Sequence, residues 1–187
     1  MKKIVLGSGS PRRKELLASL GFEFTIRTKD TDESCPEDFP LYERALYIAE
    51  KKAAALLPDL AEDEILLCAD TMVLLNSEMI NKPSSYEDAV NMLSKLSGNV
   101  HEVITSVVIQ TKSEKLTKSV LTKVYFEYIP QEDIIRYVKE FNPLDKAGSY
   151  GIQEWIGHAY VKKIEGSFNN VIGLPTVEVN QILHKLM

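Results

Sequence analysis

Two places in this 187-residue chain carry side chains of a type and spacing that can do chemistry. The first is IVLGSGSPRRKELL, residues 4 to 17. Three apolar residues (Ile4, Val5, Leu6) give way to four small ones, Gly7 to Ser10, and then to Pro11, Arg12 and Arg13. Proline suits the first position of a helix, where its missing N–H costs nothing, and Ser10 is a good N-cap before it. The order is strand, tight loop, helix start. A helix N-terminus presents unpaired N–H groups and the positive end of the peptide dipoles, which favours an anion. Two arginines at that place suit phosphate oxygens. The segment reads as a phosphate cradle with Arg12 and Arg13 as its cations; read otherwise, it is a strand–helix turn with two solvated arginines. It ends without the Gly-Lys-Ser/Thr of a Walker A loop and lacks GxGxxG spacing, which argues against an ordinary P-loop kinase or a Rossmann dehydrogenase.

The second place is Asp70, which follows the apolar run Ile65 to Ala69 and precedes Thr71. A carboxylate at the C-terminal end of a buried strand lies where α/β sheets build their sites. There it can hold Mg²⁺ or take a proton from water; otherwise it caps a turn. Lys52 falls within the apolar stripe Ala45, Ile48, Ala49, Ala53, Leu56 of a helix. A lysine in such a stripe either snorkels to water or aims its ammonium into a pocket. Glu33, in an acidic loop, reads by itself as a solvated charge. Lys82 precedes Pro83, which disfavours helix, so it sits in an extended segment. The stretch LDKAGSYGIQ, residues 144 to 153, brings Asp145, Lys146, Tyr150 and Gln153 together with two glycines. Glycine lets backbone approach a ligand, and a Gln amide can read a base edge. Four cations and two carboxylates make the parts needed to hold a nucleoside triphosphate with its metal and to orient water.

The elements that must position these groups follow from periodicity and breakers. The pattern predicts a helix over 11–20 stopped by Gly21, a strand over Phe22–Thr28, an acidic loop over 29–40, and a helix over Leu41–Leu57 ended by Pro58. It then predicts a strand over Ile65–Ala69, and Met72–Leu75 with Met79–Ile80 flanking a turn at Asn76-Ser77-Glu78. Ser84-x-x-Glu87 reads as a capping box opening a helix to Leu96, with Gly98 closing it. Strands follow over Val103–Thr111 and Ser119–Tyr128, joined by the polar KSEKLTK. Pro130 opens a helix ending near Phe141, residues 144–157 form a loop, and Tyr160–Ile164 is a strand before a turn at Glu165-Gly166. A last helix follows Gly173-Leu174-Pro175 and ends near Leu186. Interleaved strands and helices with central hairpins imply an α/β protein with a mixed β-sheet and flanking helices.

Composition bounds the rest. The chain is long enough for one core or two small lobes, and 44% apolar with 26% charged residues is ordinary for a globular protein. A net charge of −5 argues against a non-specific nucleic-acid binder. No apolar run approaches a membrane span, and residues 4–6 are too short for a signal-peptide core, so no membrane partner and a cytoplasmic location are expected. Cys35 and Cys68 read as free thiols of a reducing compartment. His101, His158 and His184 are too scattered for a zinc site.

With these residues in view, GSGSPRRKELL, EKKA at 50–53, CADT at 68–71, NKP at 81–83, LSGNVHEV at 96–103, DKAGSYGIQ at 145–153 and GSFNNVIGLP at 166–175 resemble the Maf family of nucleotide pyrophosphatases, once described as septum-formation inhibitors. The resemblance runs in order across nearly the whole chain. It implies a single Maf-like domain over 1–187, two-lobed about a deep cleft, with a fold shared with the inosine-triphosphate pyrophosphatase group. It implies hydrolysis of a nucleoside triphosphate to monophosphate and pyrophosphate with Mg²⁺ or Mn²⁺. Carried over, Asp70 would be the proton acceptor, and Lys52 and Glu33 would share the catalytic site. Ser8, Arg12, Arg13, Thr71, Lys82 and Gln153 would bind substrate, with Arg13, Thr71 and Gln153 bearing on base choice. Glu33 and Asp70 would hold the metal. The YGIQ ending resembles the subgroup acting on dTTP and UTP; modified pyrimidine nucleotides stay open beside them, and a homodimer is compatible. Cys68, where many members carry Gly, is a mild departure. A nucleotide-binding regulator of cell division and a non-canonical purine triphosphatase are the other readings.

Overall fold

The computed structural model describes residues 2–187. Seven strands form a mixed sheet in the order β2-β1-β3-β5-β6-β7, with β4 paired to β3. β1 (Lys3–Leu6) runs parallel to both β2 (Phe24–Ile26) and β3 (Glu64–Leu75). β4 (Glu78–Ile80) is antiparallel to β3, and β7 (Val161–Glu165) to β6 (Lys115–Phe126). β5 (Val100–Gln110) lies between β3 and β6. The expected mixed α/β class is what the chain adopts.

Two compact units divide the chain. The first comprises residues 1–71, 105–120 and 173–187; the second comprises 72–104 and 121–172. In the first, two apolar clusters cover β1 and the start of β3. One joins Ile4, Leu6, Ile65 and Leu67 to Leu17 of α1 (Pro11–Ser19) and to Val179, Leu183 and Leu186 of α7 (Thr176–Leu186). The other packs Val5, Leu66 and Cys68 against Ala49, Ala53 and Leu56 of α2 (Arg44–Leu56). Because β1 and the start of β3 carry apolar groups to both faces, each is apolar without alternation. The second unit has a core of its own. Ala89, Leu93 and Leu96 of α3 (Tyr86–Leu96) and Ile134, Tyr137 and Val138 of α4 (Gln131–Phe141) meet Val103, Val124, Phe126, Tyr150 and Ile152 there.

Several boundaries differ from the sequence reading, each for a local reason. β3 does not stop at Ala69 but continues through Asp70 and Thr71 to Leu75. Asp70 therefore lies within a strand rather than at its end. The turn to β4 is the two-residue Asn76-Ser77, both at positive φ (51° and 65°), the geometry of a tight hairpin, so Glu78 belongs to the strand. The α3 cap is shifted by one: Ser85, not Ser84, accepts from the Asp88 N–H, while Ser84 donates to the Asp88 carboxylate at 2.8 and 3.1 Å. The KSEKLTK stretch is mostly strand. Thr111 closes a short turn by accepting from the N–H groups of Ser113 and Glu114, and β6 begins at Lys115. The 144–157 loop contains short 3₁₀ turns and ends at α5 (Trp155–Tyr160). A further short helix, α6 (Phe168–Ile172), precedes Gly173.

Candidate active site

Strand length creates the opening. β1 pairs with β3 only as far as Leu6 opposite Leu67, and Gly7 N–H closes the ladder on the Leu67 carbonyl at 2.8 Å. The chain then turns away through Ser8 to Ser10 into α1. β3 runs on, and Asp70 and Thr71 are the two half-buried residues in a strand that is otherwise buried from Ile65 to Leu75. Gly7 is required at this departure: a Cβ there would overlap Cys68 Sγ and lie 2.8 Å from Leu56 Cδ1. Cys68 is buried, and burial pushes its thiol up to about 12, so the departure from glycine fills space rather than supplying a nucleophile.

α1 starts as the sequence predicts. Ser10 is its N-cap, accepting from the Arg13 N–H, with Pro11 in the first turn. That start places the Arg13 guanidinium among three neutral acceptors. Nε donates to the Gly173 carbonyl at 2.9 Å, Nη1 to Ser8 Oγ at 3.2 Å and Nη2 to Thr71 Oγ1 at 3.1 Å. Thr71 Oγ1 in turn shares a 2.9 Å hydrogen bond with Thr105 Oγ1. Desolvation lowers the Arg13 pKa, offset in part by Asp70, and Arg12 adds a repulsive positive charge nearby. The guanidinium stays charged, and of its five donors three are spent on fixing its plane. Two N–H groups, one on each terminal nitrogen, remain to donate to an anion.

α2 supplies the second cation. The apolar stripe is buried as its spacing requires, and Lys52 does not snorkel. Its ammonium lies 2.7 Å from Asp70 Oδ1 and 3.0 Å from Glu33 Oε1. Lys52 and Asp70 side chains are 17% and 19% exposed, and Glu33 is 55% exposed. Lys51, one residue earlier, donates to Asp32 at 3.0 Å and to the Ser34 carbonyl at 3.1 Å, which pins the acidic loop against α2. Glu33 is thus not the plain solvated charge that its sequence context suggests. The structure brings Ser8, Arg13, Glu33, Lys52, Asp70 and Thr71 into one connected network, with Arg12 beside Arg13.

Lys82 and Gln153 belong to the second unit. Lys82 is exposed in an extended segment, as Pro83 requires. Its neighbour Asn81 accepts from the Gly148 N–H at 3.2 Å, so NKP and the glycine-rich loop meet. Gly148 and Ser149 both have positive φ (75° and 61°) in that loop. Around Gln153 the loop is braced by Lys146 and Tyr150, which the sequence reading singled out, and by Tyr137, Glu154 and His101, which it did not place there. Tyr137 donates to Glu154 and accepts from the Gly151 N–H at 3.0 Å, and Lys146 reaches Glu154 at 3.3 Å. Tyr150 shares a 2.6 Å hydrogen bond with buried His101. Gln153 Oε1 is buried without a hydrogen-bond partner within the chain. Thr105, Gly173, Tyr137 and Glu154 were also missed. The nearest signal for Gly173 was its place in GSFNNVIGLP; the other three carry no local pattern.

Among the described residues, no group of three or more His, Cys, Asp or Glu side chains gathers as a metal site, and no helix is long and apolar enough to cross a membrane. Asp70 and Glu33 converge as a pair, each with an oxygen within 3.0 Å of the Lys52 ammonium. That suits a hard divalent ion, which is commonly held by one or two carboxylates and completed by substrate phosphates.

The fold and this network define an α/β protein whose strand–loop–helix start and mixed-charge cluster are suited to a phosphorylated ligand. The same fold is seen in the Ham1 protein of Staphylococcus aureus, with a TM-score of 0.56 at 14% identity and 100% of both chains covered. A HAM1 protein from Coxiella burnetii gives a TM-score of 0.52 at 14% identity, covering 99% of this chain and 100% of the other. The chain belongs to the Maf-like protein family, whose model matches residues 3–186. It is 47% identical over 182 residues to a dTTP/UTP pyrophosphatase of Parabacteroides distasonis, covering 97% of this chain and 94% of that one. It is 45% identical over 177 residues to a dTTP/UTP pyrophosphatase of Flavobacterium psychrophilum, covering 95% and 91%.

Proposed function

We propose that this protein hydrolyses dTTP and UTP to the monophosphate and pyrophosphate, with a divalent metal, by attack of water on the α-phosphorus. The reading is supported by family membership and by relatives of that name at 45–47% identity over nearly full length. The single structural observation that carries it is the Asp70–Lys52–Glu33 cluster beside the fixed Arg13 fork.

Each side chain has a role its environment suits. Arg13 binds phosphate oxygens with N–H groups already oriented, so little ordering is left to occur on binding. Ser8 and Thr71 hold that plane, and Thr71 bears on base choice. Arg12, Lys52 and Lys82 add positive charge for the triphosphate and for the pyrophosphate leaving group. Asp70 accepts the proton of the attacking water. Gln153, its amide oxygen buried without an internal partner, offers an acceptor for an N–H of a pyrimidine base. Asp70 and Glu33 would hold Mg²⁺ or Mn²⁺, which supplies Lewis-acid charge neutralisation at the phosphates.

The test is pyrophosphate release from a panel of dTTP, UTP, CTP and ITP with Mg²⁺, for wild type and Asp70→Asn. Wild type should favour dTTP and UTP. The variant should lose about 10²–10³-fold in turnover, the scale of a removed transition-state stabilising group. Near wild-type turnover in the variant would remove Asp70 from its role. A preference for ITP would replace the pyrimidine reading.

A further inference from the structure

We propose that Lys52 is a built-in counter-cation. In the nucleotide-free protein its ammonium takes the place between Asp70 and Glu33 that a divalent ion occupies in the working site, so the metal enters with the triphosphate and not before it. The inference rests on the reading of these two carboxylates as the metal's protein ligands.

The geometry supplies the argument. One nitrogen lies 2.7 Å from Asp70 and 3.0 Å from Glu33, and both contacts use carboxylate oxygens that a metal would need. The trio carries a net charge of −1; without the ammonium it is −2. A dication approaching the occupied cluster meets a like charge at contact distance, and on the Asp70 side, where both side chains are under 20% exposed, screening is weak. Mg²⁺ also gives up water reluctantly, so one or two exposed carboxylate oxygens are a poor exchange for it.

The two kinds of cation in this site are held differently, and that difference makes the exchange feasible. Arg13 is clamped by Gly173, Ser8 and Thr71 and has no carboxylate partner at hydrogen-bond distance, so it has nothing to release. Lys52 sits on a helix whose backbone is fixed by Ile48, Ala49, Ala53 and Leu56, yet its four-carbon stem leaves the ammonium free to change partners. The backbone that carries the carboxylates is tied down as well. Asp70 is on β3, and the loop bearing Glu33 is tied to α2 through Lys51, Asp32 and Ser34. A triphosphate offers Lys52 alternative oxygens, and its departure uncovers Asp70 and Glu33 for the metal. Metal and nucleotide binding are then coupled, each tightening the other by the same factor.

The probe is Mn²⁺, with free ion read by electron paramagnetic resonance. Binding is measured without nucleotide and with the non-hydrolysable α,β-methylene analogue of dTTP, on wild type, Lys52→Met, Lys52→Gln and the double variant Lys52→Met/Glu33→Gln. Without nucleotide, Lys52→Met should bind Mn²⁺ at least tenfold more tightly than wild type, and the double variant should return to the weak wild-type level. In wild type the analogue should tighten Mn²⁺ at least tenfold. Lys52→Gln guards against misfolding of the Met variant; the contrast is required of whichever melts as wild type does. Equal Mn²⁺ affinity in wild type and variant, whether tight or weak, overturns the proposal. Failure of wild type to release pyrophosphate from dTTP or UTP would instead sink the substrate reading, and the Mn²⁺ contrast would still stand or fall separately.

Discussion

Tyr137→Phe removes one oxygen atom from the fully buried ring that braces the Gln153 loop, and its cost can be worked from what that oxygen touches. The hydroxyl accepts from the Gly151 N–H at 3.0 Å and donates to the Glu154 carboxylate. Gly151 is buried, and a Cβ there would lie 2.6 Å from the Glu154 carboxyl carbon, so the backbone and carboxylate are already at close quarters. Losing the acceptor leaves a buried N–H unpaired, which costs about 1–3 kcal/mol. Glu154 loses a charge-assisted donor, but its side chain is 20% exposed and keeps Lys146 at 3.3 Å, so that part is discounted to about 1 kcal/mol. The expected loss is about 2–4 kcal/mol in unfolding free energy, read by urea denaturation with an unchanged slope. Ring packing against Phe141 is preserved in the variant. Because Gln153 lies between Gly151 and Glu154, KM for dTTP should rise more than kcat falls. A cycle with Glu154→Gln should return a coupling of about 1–2 kcal/mol. A loss under about 0.5 kcal/mol would refute the brace.

Arg13→Met should reduce kcat/KM at least 10²-fold yet leave the unfolding free energy within about 1 kcal/mol, since a desolvated cation held by neutral acceptors gains little net stability; a large parallel loss of stability would make the residue structural. Gly7→Ala should destabilise by about 1–3 kcal/mol through overlap with Cys68 Sγ, and Cys68→Ala should recover much of it; denaturation of the single and double variants shows whether it does. Burial pushes His101 from 6.5 down to about 3. Between those values the unfolded chain takes a proton that the fold refuses, so stability falls as pH is lowered through this window, by about 1.4 kcal/mol per pH unit. Wild type should therefore lose about 2 kcal/mol more than His101→Gln between pH 7 and pH 5, and parallel profiles would contradict the assignment.

What the sequence could reveal divided along the range of the interactions. The Ser10-Pro11 helix start and the buried stripe of α2 are decided within a few residues, and both stand as read. Whether Lys52 snorkels is not decided there, because its partner Asp70 lies 18 residues on, in a different element. The Gly173 carbonyl that fixes Arg13 is 160 residues away, and its place in GSFNNVIGLP does not tell which side chain it receives. Strand ends were misplaced for a related reason. Asp70-Thr71 breaks the apolar run and so resembles a terminus, while the ladder to β5 carries the strand past it. In β6 the polar Lys115–Lys118 looks like loop because that half of the strand is largely exposed. The α3 cap slipped by one since two adjacent serines fit the same rule, and only the reach to Asp88 separates them.

The site itself follows from an inequality between two neighbouring strands. β1 ends at Leu6 whereas β3 continues eight residues beyond its last partner, Leu67, and β4 takes up pairing only from Val73. Between those ladders a strand with an apolar start must show polar groups, and Asp70 and Thr71 stand there. The same shortness of β1 forces the chain out through Gly7 and aims the start of α1 at the half-buried Asp70-Thr71 segment, which brings Arg13 to Thr71. Lengthening β1 by three paired residues would cover Asp70 and move the helix start away. The chemistry of this unit thus depends on where β1 stops, and Gly7 against Cys68 is the contact that sets the point.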